Sequence, residues 1–297
     1  MSRLVIGAVP HLNAWPLVCG LGEQPGVELR IEAAAELGPL LRGGELDAAL
    51  LSAIEYFRLS ADPGERARRS LPAVAGTHPE PRIPTGRPPG GFVIVPVAAI
   101  ASRGSIGSVR LFGYTEMALV RRVLLDPASR TANALARVLF SQRFGVHPHF
   151  ILPDLVGPEP HRPPDAELVI GNRGLVAERP AAKWVRDLGR EWHRWVHRPF
   201  VYAMWVARQD APLDTVAELL ATARDAGLAA REALAARAEE ELDIPADVAR
   251  RHLVSEVHYK LGPREQEGLR TFYRLASEAG LAPEGVRLRF SPALGST

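Results

Sequence analysis

Apolar and polar positions fall in blocks along this chain, and the blocks read alternately as strands and helices. Leu4–Val9 is an unbroken apolar run closed by Pro10, Val27–Ile31 reads as a second strand, and Leu46–Leu51 as a third, buried one. Runs of this length between turn signals suit strands buried on both faces, as in a parallel sheet. Leu37–Arg42 predicts a short helix stopped by Gly43 and Gly44, and a helical turn through Tyr56 and Phe57 follows the third strand. Residues 72–91 are rich in Pro and Gly and predict a surface loop. Phe92–Val95, Val97–Ala101 and Val109–Phe112 read as further strands.

A second series follows: strand Val120–Leu125, helix 132–142, strands His149–Leu152 and Glu167–Ile170, then helical material carrying Trp184, Trp192 and Trp195 as packing residues. Phe200–Val206 is again strand-like. The tail repeats apolar positions at helical spacing over Leu213–Ala223, Leu228–Leu242 and Gly268–Ala279. There is no convincing internal repeat. Extended crossings near 108–113 and 200–205 predict two α/β lobes, residues 1–107 with 203–297 and residues 108–202. A ligand cleft is expected between them, at the carboxyl ends of the strands.

Each strand end is then a candidate wall of that cleft. The richest is Asp126-Pro-Ala-Ser-Arg-Thr131, where a buried strand passes into a helix. The first helical N–H groups have no intrahelical partner, the dipole puts positive charge there, and Ser129, Arg130 and Thr131 add hydroxyls and a guanidinium. After the first strand comes Asn13, a donor and acceptor able to orient a hydroxyl or carboxylate, or simply a turn-former. Ser52 stands to cap a helix or touch ligand, and Glu55 reads as a first-turn dipole partner. Ser108 ends a hydroxyl-rich stretch from Ser102, and Asn172 follows the strand ending Ile170-Gly171.

Composition narrows the function. The 297 residues are 46% hydrophobic and 24% charged with net charge +2, an ordinary globular balance. All but Lys183 and Lys260 of the 36 basic residues are arginine. No basic block interleaves with aromatics, so nucleic acid is not an expected partner. The single Cys19 excludes an internal disulfide or a cysteine zinc cluster and reads as a small buried residue. His147 and His149 lack an evident third ligand, so no metal is expected, and no cofactor. The first residues run straight into a strand without a signal-peptide pattern, and no apolar run spans a bilayer. A cytoplasmic protein with no membrane partner is expected. Phosphate-loop, zinc-protease, calcium-loop and nucleophile-elbow motifs are absent.

The order of several short motifs resembles the chorismate dehydratase family of the futalosine route to menaquinone, over almost the whole chain. The motifs are His11-Leu-Asn-Ala-Trp-Pro-Leu17, Gly44-Glu-Leu-Asp47, Ile54-Glu-Tyr56, Ser108-Val-Arg-Leu-Phe112 and Ser129-Arg-Thr131. Ile170-Gly171, Asp187-Leu-Gly189 with Trp192, Pro199-Phe-Val201 and Gly268–Tyr273 complete the set. The chain departs from the family pattern at Asn172, where Asp is usual, at Ala132, at His197-Arg198, and in a longer 72–91 loop.

The resemblance implies an α/β, two-lobed type II periplasmic-binding-protein-like fold used as a carbon–oxygen lyase. The implied reaction removes water from chorismate to give 3-[(1-carboxyvinyl)oxy]benzoate. Asn13 is then the catalytic residue, and Ser52, Ser108, Ser129, Arg130, Thr131 and Asn172 bind the dianion. No obvious His or carboxylate base stands in the motifs, so a substrate carboxylate is a candidate proton acceptor. Two rivals share the fold: 1,4-dihydroxy-6-naphthoate synthase of the same pathway, and a solute-binding protein for a small carboxylate. The oligomeric state is not legible in the sequence.

Overall fold

A computed structural model describes residues 3–61, 91–153 and 163–292. Nearly all of the expected 72–91 loop lies outside the described residues. Among the described residues ten strands form two five-stranded sheets. The first sheet takes β1 (Leu4–Ala8), β2 (Val27–Ile31), β3 (Ala48–Ser52), β4 (Phe92–Ser102) and β10 (Phe200–Arg208), in the order β2-β1-β3-β10-β4. The second takes β5 (Val109–Gly113), β6 (Arg122–Leu124), β7 (His149–Ile151), β8 (Ala166–Ile170) and β9 (Trp184–Asp187), in the order β7-β6-β8-β5-β9.

The two sheets repeat one scheme. Three parallel strands lie side by side, then an antiparallel strand that has just arrived from the other lobe: β10 in the first sheet and β5 in the second. The sheets are therefore mixed, where the apolar runs alone suggested parallel pairing. Such runs report burial on both faces, and burial does not distinguish strand direction. The chain crosses between lobes at residues 103–108 and 197–199, and β10 belongs to the first sheet from Phe200 onward.

Among the described residues ten α-helices cover the sheets: α1 (Trp15–Val18), α2 (Ala34–Gly43), α3 (Ala53–Leu59), α4 (Arg130–Val138), α5 (Asn172–Val176), α6 (Leu188–Val196), α7 (Leu213–Ala229), α8 (Arg231–Leu242), α9 (Ala246–Arg251) and α10 (Pro263–Glu278). None of the described helices is long and apolar enough to cross a membrane. Four elements differ from the sequence pattern. Pro96 was expected to separate two strands, yet β4 runs through it, because the pairing with β10 slips by three residues between Ile94 and Ala99 and no ladder N–H is required at Pro96. Trp184 lies on strand β9 and not on a helix. Its ring rests on Gly113 of β5, where any side chain would collide, and its indole N–H donates to Thr115 O at 2.6 Å. Helices α5 and α9 were too short to show an apolar period.

The lobes share one continuous core, and an aromatic cluster anchors it. Trp192 of α6 packs edge-on to Phe200 of β10 at 5.1 Å and to Phe272 of α10 at 6.0 Å, and Phe272 meets Phe57 of α3 at 5.9 Å. These four rings come from four elements on both sides of the second crossing. Two of the quoted motifs meet beside them, because Gly268 lets α10 lie directly on the Pro199 carbonyl. Cys19 is half-buried rather than in the core. A methyl at position 268 has only backbone to push against. Gly268→Ala is therefore expected to lower unfolding free energy by about 1–3 kcal/mol, read in a denaturant titration; an unchanged midpoint would contradict this packing.

Candidate functional site

The expected site residues sit where strand ends of the two sheets face each other. In the first lobe, β1 ends in a tight turn, Leu12–Ala14, whose preceding residue is His11, and β3 ends in Ser52 at the start of α3. In the second lobe, β6 runs through Asp126 into Ser129 and α4, and β8 ends at Gly171 before α5. Ser108, buried, leads into β5, and its carbonyl accepts the Gly171 N–H at 2.8 Å.

The helix starts of the first lobe are capped by side chains of the second. Ser52 has the extended backbone of an N-cap residue, but its hydroxyl makes no cap bond. The Ile54 N–H of that first turn donates instead to Thr131 Oγ1 across the lobe boundary, at 3.1 Å. The Leu12 N–H donates likewise to Asn172 Oδ1 at 3.1 Å. Each bond meets a donor that helical geometry leaves without a partner. In the second lobe the cap is local: Ser129 Oγ accepts the Ala132 N–H at 3.2 Å.

Arg130 also reaches across. Its Nη1 lies 2.7 Å from Glu55 Oε2, with the carboxylate side chain 7% and the guanidinium side chain 26% exposed. Glu55 is in the first turn of α3, where the dipole favours a negative charge. Arg130 opens α4, where the dipole disfavours a positive one, and the pair offsets that. In this structure the guanidinium thus braces the lobes.

Two residues at these strand ends escaped the sequence reading. Asp126 is almost fully buried and its carboxylate is committed: Oδ1 accepts the Ala128 N–H, and Oδ2 accepts the Ile170 N–H at 2.9 Å and Arg173 Nη2 at 2.7 Å. It holds the ends of β6 and β8 together; its place ahead of Pro127 and two residues before Ala128 is the one sequence sign of this turn. His11 lies over Gly171, whose φ of 69° and ψ of −144° admit only glycine. A Cβ built at Gly171 would sit 3.4 Å from His11 Nδ1. Burial holds the His11 pKa below its ordinary 6.5, opposed only in part by the Asp126 charge. Asn13, half-buried on the same turn, has its Oδ1 buried with no hydrogen-bond partner among the described residues. Such an atom is costly to leave unmet, so the arrangement suits a polar ligand atom at Asn13. His147 and His149 are both exposed, and no group of three metal-ligating side chains gathers among the described residues.

Comparison with known proteins bears on the family and the fold. The family model for menaquinone biosynthesis matches residues 85–278. The chorismate dehydratase of Thermus thermophilus is 25% identical over 289 residues, covering 92% of this chain and 94% of its own. A solved protein from Archaeoglobus fulgidus superposes with a TM-score of 0.64 at 16% identity, over 94% of this chain and 98% of that one. The periplasmic aliphatic sulphonate binding protein of Escherichia coli gives 0.60 at 15% identity, over 100% and 94%. The likeness to solved structures establishes the two-lobed periplasmic-binding-protein-like fold.

Glu55→Gln leaves the Arg130 charge with a neutral partner, and is expected to lower stability by about 1–3 kcal/mol, measured by denaturant unfolding; an unaltered midpoint removes the bracing role. His11 sets an acid limit. Between its lowered pKa and 6.5 the unfolded chain binds a proton that the folded chain does not, so stability rises with pH across that window. His11→Gln should therefore shrink the stability difference between pH 5.5 and 7.5, to which the similarly buried His258 also contributes; an identical difference in the variant contradicts this.

Proposed function

Because the chain belongs to the menaquinone-biosynthesis family, we propose that it is a chorismate dehydratase, a cytoplasmic lyase of the futalosine route that makes 3-[(1-carboxyvinyl)oxy]benzoate. The observation that carries this reading is the buried, unpartnered Asn13 Oδ1 in the turn after β1, in a chain resembling a chorismate dehydratase over nearly its full length. The substrate would lie between a lobe of residues 1–107 with 203–297 and a lobe of residues 108–202.

The reaction asks little of protein acid–base chemistry. A proton leaves the ring carbon bearing the enolpyruvyl ether, its electron pair forms the new ring double bond, and the neighbouring hydroxyl departs as water. Aromatisation supplies the driving force. The protein's part is to hold a dianion oriented and away from bulk water. Asn13 positions the leaving hydroxyl or the reacting carboxylate. Ser52, Ser108, Ser129, Thr131 and Asn172, with the helix N–H groups they adjoin, receive the carboxylates. Arg130 adds positive potential while paired to Glu55. The proton goes first to a carboxylate of the substrate itself or to His11, which burial keeps neutral, and from that acceptor to the departing hydroxyl, which leaves as water.

The direct test is incubation of the purified chain with chorismate and chromatographic detection of the enolpyruvyl benzoate. Formation of that product at enzymatic rates is expected; an intact chorismate pool would overturn the reading. Asn13→Asp places a carboxylate against a dianion and removes a donor. It is expected to reduce kcat by about 100-fold or more, roughly 3 kcal/mol of barrier, with a melting temperature close to that of the parent. Near-parental turnover would remove Asn13 from the mechanism.

A further inference from the structure

A cavity of about 410 Å³ lies at the outer edge of the second sheet, and none of the proposed chorismate-binding side chains lines it. Five arginines do: Arg110, Arg186, Arg190, Arg194 and Arg251. Arg190 and Arg194, four residues apart on α6, share one helix face, and Arg186 precedes them near the end of β9. Arg110 stands opposite Asp187 in the β5–β9 pairing, and Arg251 comes from the end of α9.

Two carboxylates share the lining, and both are already engaged. Asp187 caps α6 through the Arg190 N–H at 2.9 Å, and also accepts the Ser105 hydroxyl at 2.8 Å and the Gly107 N–H at 2.7 Å. Glu191, 3% exposed in its side chain, is gripped by Arg143 at 2.8 Å and Arg186 at 3.1 Å, with Arg194 at 3.8 Å. The Arg190 guanidinium has no partner among the described residues, and Arg186 Nε is buried without one. Arg251 is paired with Glu256 at 3.4 Å, but the five lining arginines and Arg143 still outnumber Asp187, Glu191 and Glu256, so positive charge here exceeds what the local acids neutralise.

We infer that this cavity is a second ligand site, for a small molecule carrying two or more carboxylate or phosphate groups. Its volume is of the order of small-metabolite pockets, roughly 300–1,000 Å³. Planar guanidinium forks on one helix face, opposed by Arg110 and Arg251, engage oxyanions two bonds at a time. Carboxylates and phosphates share that chemistry. The inference does not depend on the dehydratase reading, because the lining excludes Asn13, Ser52 and residues 129–131.

Pyrophosphate is the probe. Calorimetric titration of the full chain at low ionic strength is expected to show one saturable site. The double variant Arg190→Ser/Arg194→Ser should weaken binding at least tenfold, since both side chains are exposed and the fold does not rest on them. Asn13→Asp should bind pyrophosphate as the parent does. The charge-matched control Arg237→Ser/Arg274→Ser, on distant surface pairs, should also bind normally. No saturable heat, equal affinity in the Arg190/Arg194 variant, or equal weakening in either control would overturn the assignment. Chorismate turnover by the Arg190/Arg194 variant is a separate readout, expected at the parental level, and rates below it would place these arginines in the dehydratase site and overturn a second site.

Discussion

A helix that begins at a strand end must find acceptors for its first N–H groups, and this molecule meets that requirement across the lobe boundary. Thr131 from the second lobe accepts the Ile54 N–H, Asn172 accepts that of Leu12, and the Glu55–Arg130 pair joins the residues next to Ile54 and Thr131. The consequence is a coupling of fold and site. The hydroxyl and amide groups suited to a dianionic ligand are the groups that hold the lobes in register, so ligand and lobe contact compete for the same donors. A substrate carboxylate arriving at the Ile54 or Leu12 N–H would replace a side-chain oxygen, and the exchange keeps every buried donor paired.

The rest of the architecture serves that placement. The two sheets repeat one strand scheme, and the segments that follow β1 and β3 meet those that follow β8 and β6. Asp126 fixes β6 to β8, and the Trp192, Phe200, Phe272 and Phe57 cluster locks the region where the chain returns to the first sheet. Many quoted motifs prove to be contacts of this frame. Asp47 receives the Val5 N–H at 2.9 Å, Tyr56 accepts the Arg289 N–H at 3.0 Å, and Gly268 admits the Pro199 carbonyl.

Most strands were legible because their apolar runs are long and bounded by turn residues. Trp184 misled because an aromatic on an edge strand, seated on a glycine of its neighbour, has no signal in its own local period. Asn13, Ser52, Ser108, Thr131 and Asn172 were legible as polar residues immediately after buried runs. What the sequence could not show was their partners: Ile54 and Thr131 are 77 residues apart, Leu12 and Asn172 are 160. His11 was hidden for the same reason, since its environment is made by Gly171 and Asp126. The arginine cavity was hidden differently. In a chain where nearly every basic residue is arginine, a spacing of four along α6 does not stand out until β5 and α9 close around it.

The most direct test of the account is the position of a bound product. A crystal of the chain grown with 3-[(1-carboxyvinyl)oxy]benzoate should place the ring between Asn13 and the 129–131 turn. At least one carboxylate should fall within hydrogen-bond distance of the Ile54 or Leu12 N–H, with the Thr131 or Asn172 contact displaced. A product molecule seated elsewhere, with both cross-lobe caps intact, would contradict it.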